Sequence, residues 1–321
     1  MNNDLLILFY IGAPKDTIEL KEFILNIFSD RDVVNLKIPL FLQKLLANII
    51  ASIKIRKSAK IYNNYFNGAS PQIEILNSFT EKIKMKYQLY YKRELDIKLA
   101  MCYTEPYIEK VISSLYKKSY NKIYITTLYP HYSYTTVGVC FKRFFNSTFY
   151  NPVDNNYTIK NFWFFEPKYN KLLCDRIVES CKKLNVSLND TTLVFTAHSL
   201  PLSTKLKGDP YTDHLQEHIN IILKQLKPLS PKNYYLSFQS KASFGKWLKP
   251  STIEIINKLI NEGVNNIIFI PITFINDHIE TIYEIDNLYI KKLNDYNINA
   301  IRIDSLNDDD RFVEAFIDML D

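Results

Sequence analysis

A chain of 321 residues with 47% hydrophobic content can bury one large core or two linked ones, which excludes a disordered protein and makes two domains the expectation from length. The formal charge of +6 comes from 40 basic and 34 acidic residues, and the basic ones are scattered, so no nucleic-acid partner is indicated. Four cysteines (Cys102, Cys140, Cys174 and Cys181) form no CxxC pair and follow no secretory signal, which argues against structural zinc and for reduced thiols in a cytosol-like compartment.

Short apolar runs alternate with longer amphipathic stretches, the pattern of a parallel α/β sheet wrapped by helices. In chain order the first half predicts strands at 4–11, 97–103 and 122–128, with helices over 16–29, 71–87 and 105–119. Between them, IPLFLQKLLANIIASI at 38–53 lines up Leu42, Leu45, Leu46, Ile49, Ile50 and Ile53 on one helical stripe, flanked by Lys44, Lys54, Arg56, Lys57 and Lys60. It is too short and too charged at its flanks to span a bilayer, so it reads either as a surface lying on a membrane or lipping a greasy pocket, or as an ordinary core helix. The polar stretch NSTFYNPVDNNYTIKN at 146–161 reads as a seam. Beyond it come strands at 192–197, 233–238, 266–272 and 299–303, with helices over 166–184, 211–227, 250–263 and 278–294. The expected organisation is an N-terminal half (1–160), a similar C-terminal half (161–305) and a last helix (306–321) packing back on the first half, with a cleft between halves as the natural site.

The chemistry concentrates at strand ends, where open α/β sheets bind their ligands. The run IIFIPITFI empties into Asp277, His278, Glu280, Glu284 and Asp286. Glu280 and Glu284 are spaced to share one helix face, with His278 close to it. Two carboxylates and an imidazole offer the lone pairs that a divalent cation or a departing proton requires. The alternative is a solvated helix N-terminus, where the dipole favours acids. Strand TLVFTA ends in His198, which titrates near neutral pH and can accept a proton from a substrate nitrogen. His131 in LYPHYS and His278 sit at two further strand ends, but a three-histidine metal site has no diagnostic spacing here. Loops GAP (12–14), NGASP (67–71), KGDPY (207–211) and FQSKASFGKWLKP (238–250) gather at the same edges, and none matches a dinucleotide or ATP loop. Trp247, Tyr103, Tyr129, Tyr132 and Phe274 could form flat walls for a planar aromatic ligand.

These motifs in this order, above all TAHSLP, GDPY, FQSK with WLKP, and PITFINDHIETIYEID, resemble ferrochelatases, which insert ferrous iron into a porphyrin at the end of haem synthesis. SDRDVV at 29–34, GASP and LYPHYS add to the resemblance, which runs from about residue 5 to residue 318. It implies two Rossmann-like, chelatase-type halves, each with a four-stranded parallel sheet, around a cleft. It implies that His198 abstracts a pyrrole proton or guides the metal. Glu280 would be the partner carboxylate across the porphyrin plane, and Glu284 would extend an acidic path along a helix widened by a π-turn. Asp277 and His278 would orient Glu280 and His198, with His278 counted beside the substrate. Trp247 would flank the macrocycle, with Tyr65, Ser70 and Tyr103 near the pocket mouth.

Entry of one dication into a free-base porphyrin expels two N–H protons, so a base and a metal-delivering group satisfy the chemistry. The resemblance therefore implies protoporphyrin and Fe²⁺ as substrates, with another tetrapyrrole chelatase (coproporphyrin with iron, or cobalt with a different tetrapyrrole) and a non-catalytic porphyrin binder as rivals. Cys102 stands where the family commonly has arginine, leaving Arg56 or Lys57 as candidate stand-ins. GAP replaces GGP, KASFG replaces KVGP, and Ile11 replaces Met or Tyr near the metal approach. The cysteines that bind an iron–sulfur cluster in animal members are missing, so the expectation is no cluster and no cofactor beyond substrate iron. The expected location is cytoplasmic, peripheral at a membrane through 38–53, with a processed organellar form and a homodimer both left open.

Overall fold

Continuous apolar runs become central parallel strands, because a strand covered on both faces has no place for polar alternation. The computed structural model describes residues 3–115, 118–147, 157–240 and 245–320. In the first unit, β1 (Asp4–Tyr10) is buried from Asp4 to Phe9 and lies between β2 (Leu95–Met101) and β3 (Ile123–Thr127). A fourth strand, β4 (Tyr157–Lys160), pairs with β3 and completes the order β2-β1-β3-β4. It falls in the stretch read from sequence as a polar seam. As a half-exposed edge strand it needs no apolar run, which is why the pattern hid it. Residues 148–156 of that seam lie outside the described residues.

The second unit repeats the plan. Strands β5 (Thr192–His198), β6 (Asn233–Gln239), β7 (Asn266–Pro271) and β8 (Asn299–Arg302) are parallel in the order β6-β5-β7-β8. The chain divides into two compact units, Met1–Trp163 with Asp308–Asp321 and Phe164–Asn307. The architecture is therefore α/β, with two four-stranded parallel sheets flanked by helices.

The first unit carries α1 (Thr17–Ser29), α2 (Leu40–Phe66), α3 (Gln72–Tyr91), α4 (Ile108–Ser114) and α5 (Val139–Asn146). Asp16 caps α1 by accepting from Glu19 N, one of the backbone donors that a helix start leaves orphaned. Gly12, with φ +147, sits where an added Cβ would fall 2.8 Å from the Phe23 ring, so the turn after β1 requires glycine. Helix α2 runs well past the expected 53 and buries Gln43, Ala47 and Ala51 against α1, while its apolar stripe faces outward. The core-helix reading of that stripe fails: Phe41 is 70%, Leu45 58% and Ile53 68% exposed. The small residues, not the large ones, make the internal contact.

The second unit carries α6 (Pro167–Leu184), α7 (Leu202–Leu206), α8 (Tyr211–Gln225), α9 (Thr252–Asn261) and α10 (Lys291–Asn294). The last helix, α11 (Asp310–Leu320), belongs to the first unit and packs on α3. There Phe312 stacks on Phe79 at 5.2 Å and neighbours Trp163 at 6.2 Å, each buried ring contributing about 1.5–3 kcal/mol. Each unit also follows its third strand with a π-helix, Tyr134–Gly138 after β3 and Ile279–Ile290 after β7. The long one replaces the simple helix expected over 278–294, and α10 continues it. Among the described residues, no helix is long and apolar enough to cross a membrane.

Candidate functional site

His198 is the last residue of β5, paired in register with Gln239 at the end of β6. The strand's buried run ends here, so the imidazole is the first side chain released from the sheet, and it is 41% exposed. Its Nδ1 lies 3.0 Å from both Oε1 and Oε2 of Glu280 on the long π-helix, and that carboxylate is 16% exposed. Burial works against a charged imidazole, but the Glu280 charge and hydrogen bond outweigh it and Glu284 adds to them, so the His198 pKa is raised. Burial likewise opposes the Glu280 carboxylate, yet His198 holds its pKa below the usual range, with help from His278 and Ser240. Each partner therefore favours the charged form of the other.

Glu284 answers differently. Burial first and the Glu280 charge second push it up to about 7, against hydrogen bonds from Ser240 and Gln239. Ser240 Oγ donates to Glu284 Oε2 at 2.8 Å, and Gln239 Nε2 donates to the same oxygen at 3.3 Å and to the Glu280 carbonyl at 2.8 Å. Two carboxylates on one helix are thus driven apart, one kept ionised and one poised to exchange a proton near neutrality. Such a split is the arrangement that separate acid and base roles require.

The resemblance implied a ring plane between His198 and Glu280. The structure corrects this: their 3.0 Å contact leaves no space for one between them. The physical reason is the junction between β7 and the π-helix, which aims Glu280 straight at the end of β5. His278 caps the π-helix, its N–H donating to Thr281 Oγ1 at 2.9 Å. It is buried against Phe274, with ring centroids 4.3 Å apart, and burial lowers its pKa. Asp277 accepts from Thr281, Ser305 and Asn307 and pairs with Arg302 at 3.0 Å. Burial opposes its ionised form, but Arg302 and those donors hold its pKa below the usual carboxylate range.

Trp247 lies beside the His198 loop: Pro201 and Trp247 form an antiparallel bridge, and Leu248 N donates to Leu200 O at 3.0 Å. Residues 241–244 of the same loop, including most of KASFG, lie outside the described residues. Tyr65, Ser70 and Tyr103 all belong to the first unit. Tyr65 is exposed on α2. Ser70 is buried and donates to Gln72 Oε1 at 3.2 Å. Tyr103 is 1% exposed, donates to Asp30 Oδ2 at 2.8 Å and lies under the Arg143 guanidinium, and burial raises its pKa strongly. Cys102 is buried with its Sγ 3.3 Å from Cys140 Sγ, and Arg143 donates to its carbonyl at 2.7 Å, while Arg56 and Lys57 stay exposed on α2. Among the described residues, no three His, Cys, Asp or Glu side chains form a ready metal cage.

Sequence reading did not single out four contributors. Gln239 and Ser240 sit in the FQSK motif, and Tyr211, whose hydroxyl donates to the His198 carbonyl at 3.1 Å, sits in GDPY; both motifs were visible without the roles. Arg302 left one trace, a lone cation closing the apolar strand NAIR.

Comparison with known proteins adds a consistent picture. The family profile described as Ferrochelatase matches residues 4–321. The Ferrochelatase of Aquifex aeolicus is 32% identical over 316 residues, covering 98% of this chain and 97% of the relative. That of Desulfotalea psychrophila is 33% identical over 309 residues, covering 96% and 93%. Among solved structures, SirB from Bacillus subtilis with Fe³⁺ matches with a TM-score of 0.57 at 10% identity, covering 99% of this chain and 94% of that one. A cobalt complex of the sirohydrochlorin chelatase SirB from Bacillus subtilis subspecies spizizenii matches with a TM-score of 0.54 at 10% identity, covering 100% of this chain and 94% of that one. The last two likenesses concern the fold.

Proposed function

The chain belongs to the ferrochelatase family, and from that premise we propose that it inserts Fe²⁺ into protoporphyrin IX with His198, Glu280 and Glu284 as the working side chains. It is a metal chelatase of haem biosynthesis; the choice of protoporphyrin and the residue roles are our reading. The observation that carries the roles is the single cluster in which His198 contacts Glu280 while Glu284 sits near pKa 7 beside them.

Metallation must remove two pyrrole protons as one dication enters. The His198–Glu280 contact favours one proton on the pair, so the pair can take a pyrrole proton only by passing its own on. Glu284, poised at about 7, is the acceptor next in line, and it must release that proton to solvent before the relay can run a second time for the second pyrrole proton. The approach of Fe²⁺ favours that transfer, because a nearby dication repels a proton on the imidazole and favours ionised carboxylates. Glu280 and Glu284 supply hard oxygen donors and His198 a nitrogen donor during passage of the metal. Iron is substrate here, and no resident cofactor or cluster enters the reading. Trp247 supplies a planar wall beside the His198 loop.

The outward stripe of α2 supports peripheral contact with a membrane, from which an apolar porphyrin could be drawn. Phe41, Leu45, Ile49 and Ile53 are exposed beside Lys44, Arg56 and Lys57, the combination that favours an anionic lipid surface.

The deciding experiment is anaerobic mixing of the protein with Fe²⁺ and protoporphyrin, followed by absorbance for haem, with coproporphyrin and Co²⁺ in parallel. Haem formation from protoporphyrin is expected. Faster metallation of coproporphyrin would replace the substrate, and tight porphyrin binding without metallation would replace the enzyme by a binder.

A further inference from the structure

The π-helix that carries both working carboxylates has an uncommon geometry. Bonding of i to i+5 is rare and occurs mostly as single turns inside α-helices, whereas here it runs unbroken over Ile279–Ile290. A stretch of that length competes with the ordinary α register, so something outside it must hold it. Relaxation to α would rotate Glu284 relative to Glu280 and uncouple both from His198.

Beside the Gln239 and Ser240 contacts to Glu280 and Glu284, one side chain restrains the helix at two points. Arg302 closes β8, which pairs with β7 through Phe269, and its side chain is only 11% exposed. Its Nε and Nη2 donate to the two oxygens of Asp286 at 2.9 and 2.8 Å, in the body of the π-helix. Its Nη1 reaches Asp277 Oδ1 at 3.0 Å, just before the helix begins, and Ser305 Oγ at 2.8 Å. One planar guanidinium therefore ties the entry and the middle of the helix to the edge of the sheet. Lysine could not reproduce this, because the bidentate grip uses the fixed fork of guanidinium donors.

We propose that Arg302 is a positioning residue that locks the register of the π-helix, and through it the placement of Glu280 and Glu284 against His198. Its catalytic consequence rests on the chelatase reading above, whereas the clamp itself does not. The Arg302 guanidinium is taken up by Asp277, Asp286 and Ser305, so its removal should leave porphyrin affinity alone and lower turnover.

The test compares the native protein with Arg302→Met, Arg302→Lys and Asp286→Asn. Amide hydrogen exchange over residues 279–290 is read alongside kcat for iron insertion and porphyrin affinity by fluorescence quenching. Arg302→Met should speed exchange in that segment selectively and lower kcat by about 100-fold, with porphyrin affinity within about twofold, since small misplacement of catalytic groups is costly. Arg302→Lys should fall between Met and native. Asp286→Asn, at a partly exposed partner less prone to unfold the chain, should lower kcat about tenfold with the same exchange signature. Unchanged exchange in Arg302→Met or Asp286→Asn overturns the clamp whatever the activity. Faster exchange with full turnover overturns its catalytic role. A native protein that inserts no iron sinks the functional reading instead, and the exchange data still decide the clamp.

Discussion

The sheet β2-β1-β3-β4 and the sheet β6-β5-β7-β8 share strand order and direction, and each sends its third strand into a loop with a histidine and then a π-helix. Their contents differ. Where β5 ends in His198 against Glu280, β1 ends in Tyr10 stacked on Tyr129 at 5.1 Å. The first unit's π-helix is Tyr-Thr-Thr-Val-Gly with no carboxylate, and the second's carries Glu280 and Glu284. In the first unit Asp30 is engaged by Tyr103 and Arg143. One topology thus places two different sets of side chains at equivalent strand ends, and the paired imidazole and carboxylates belong to the second. Fold supplies the position and residues supply the chemistry.

The sharpest way to break this asymmetry is His198→Ala. Iron insertion should fall by about 10²–10⁴-fold, the usual worth of a positioned base, while porphyrin quenching persists. Retained turnover would move the chemistry out of the second unit. Glu280→Gln should follow, with a loss of about 10–100-fold and a fall in the His198 pKa, since the charge that raises it is gone. An imidazole titration unchanged by that substitution, followed by NMR, would contradict the pairing.

Glu284→Gln sharpens the contrast through pH. With the native group titrating at about 7, turnover should rise with pH through that region as the acceptor ionises, and the variant should lack this limb. Stability should move the opposite way. The folded pKa lies above the ordinary carboxyl value of 4.5, so the folded state is penalised progressively as pH rises from 4.5 to 7 and fully above it. The variant should therefore be more stable than native at pH 8, by on the order of 1–3 kcal/mol, and equal to it near pH 4. Equal denaturation midpoints at pH 8 would remove the case for a strained carboxyl. The smallest effect on activity is expected in the first unit. Tyr87→Phe removes hydroxyl contacts to Asp4 at 2.8 Å and Tyr124 at 3.2 Å and should cost about 1–3 kcal/mol of stability, with kcat within about twofold. A large kcat loss there would mean that the two sheets are not chemically separate.

Strands buried on both faces were legible because their apolar runs leave no other reading, and His198, Glu280 and Glu284 stood out because each follows such a run. The edge strand Tyr157–Lys160 was hidden, since an edge tolerates polar residues. The outer stripe of α2 was ambiguous for the same reason in reverse: periodicity marks an apolar face without saying what covers it, and Ala47 and Ala51 proved to be the contact side.

By itself the sequence determined the α/β class and the motifs at the strand ends, because burial patterns and turn residues are local in the chain. Only the tertiary structure decided that His198 touches Glu280 directly, that Glu284 is lifted towards neutrality, and that Arg302 grips Asp277 and Asp286. Each of those depends on the distance and desolvation of groups far apart in sequence, and a linear spacing encodes neither.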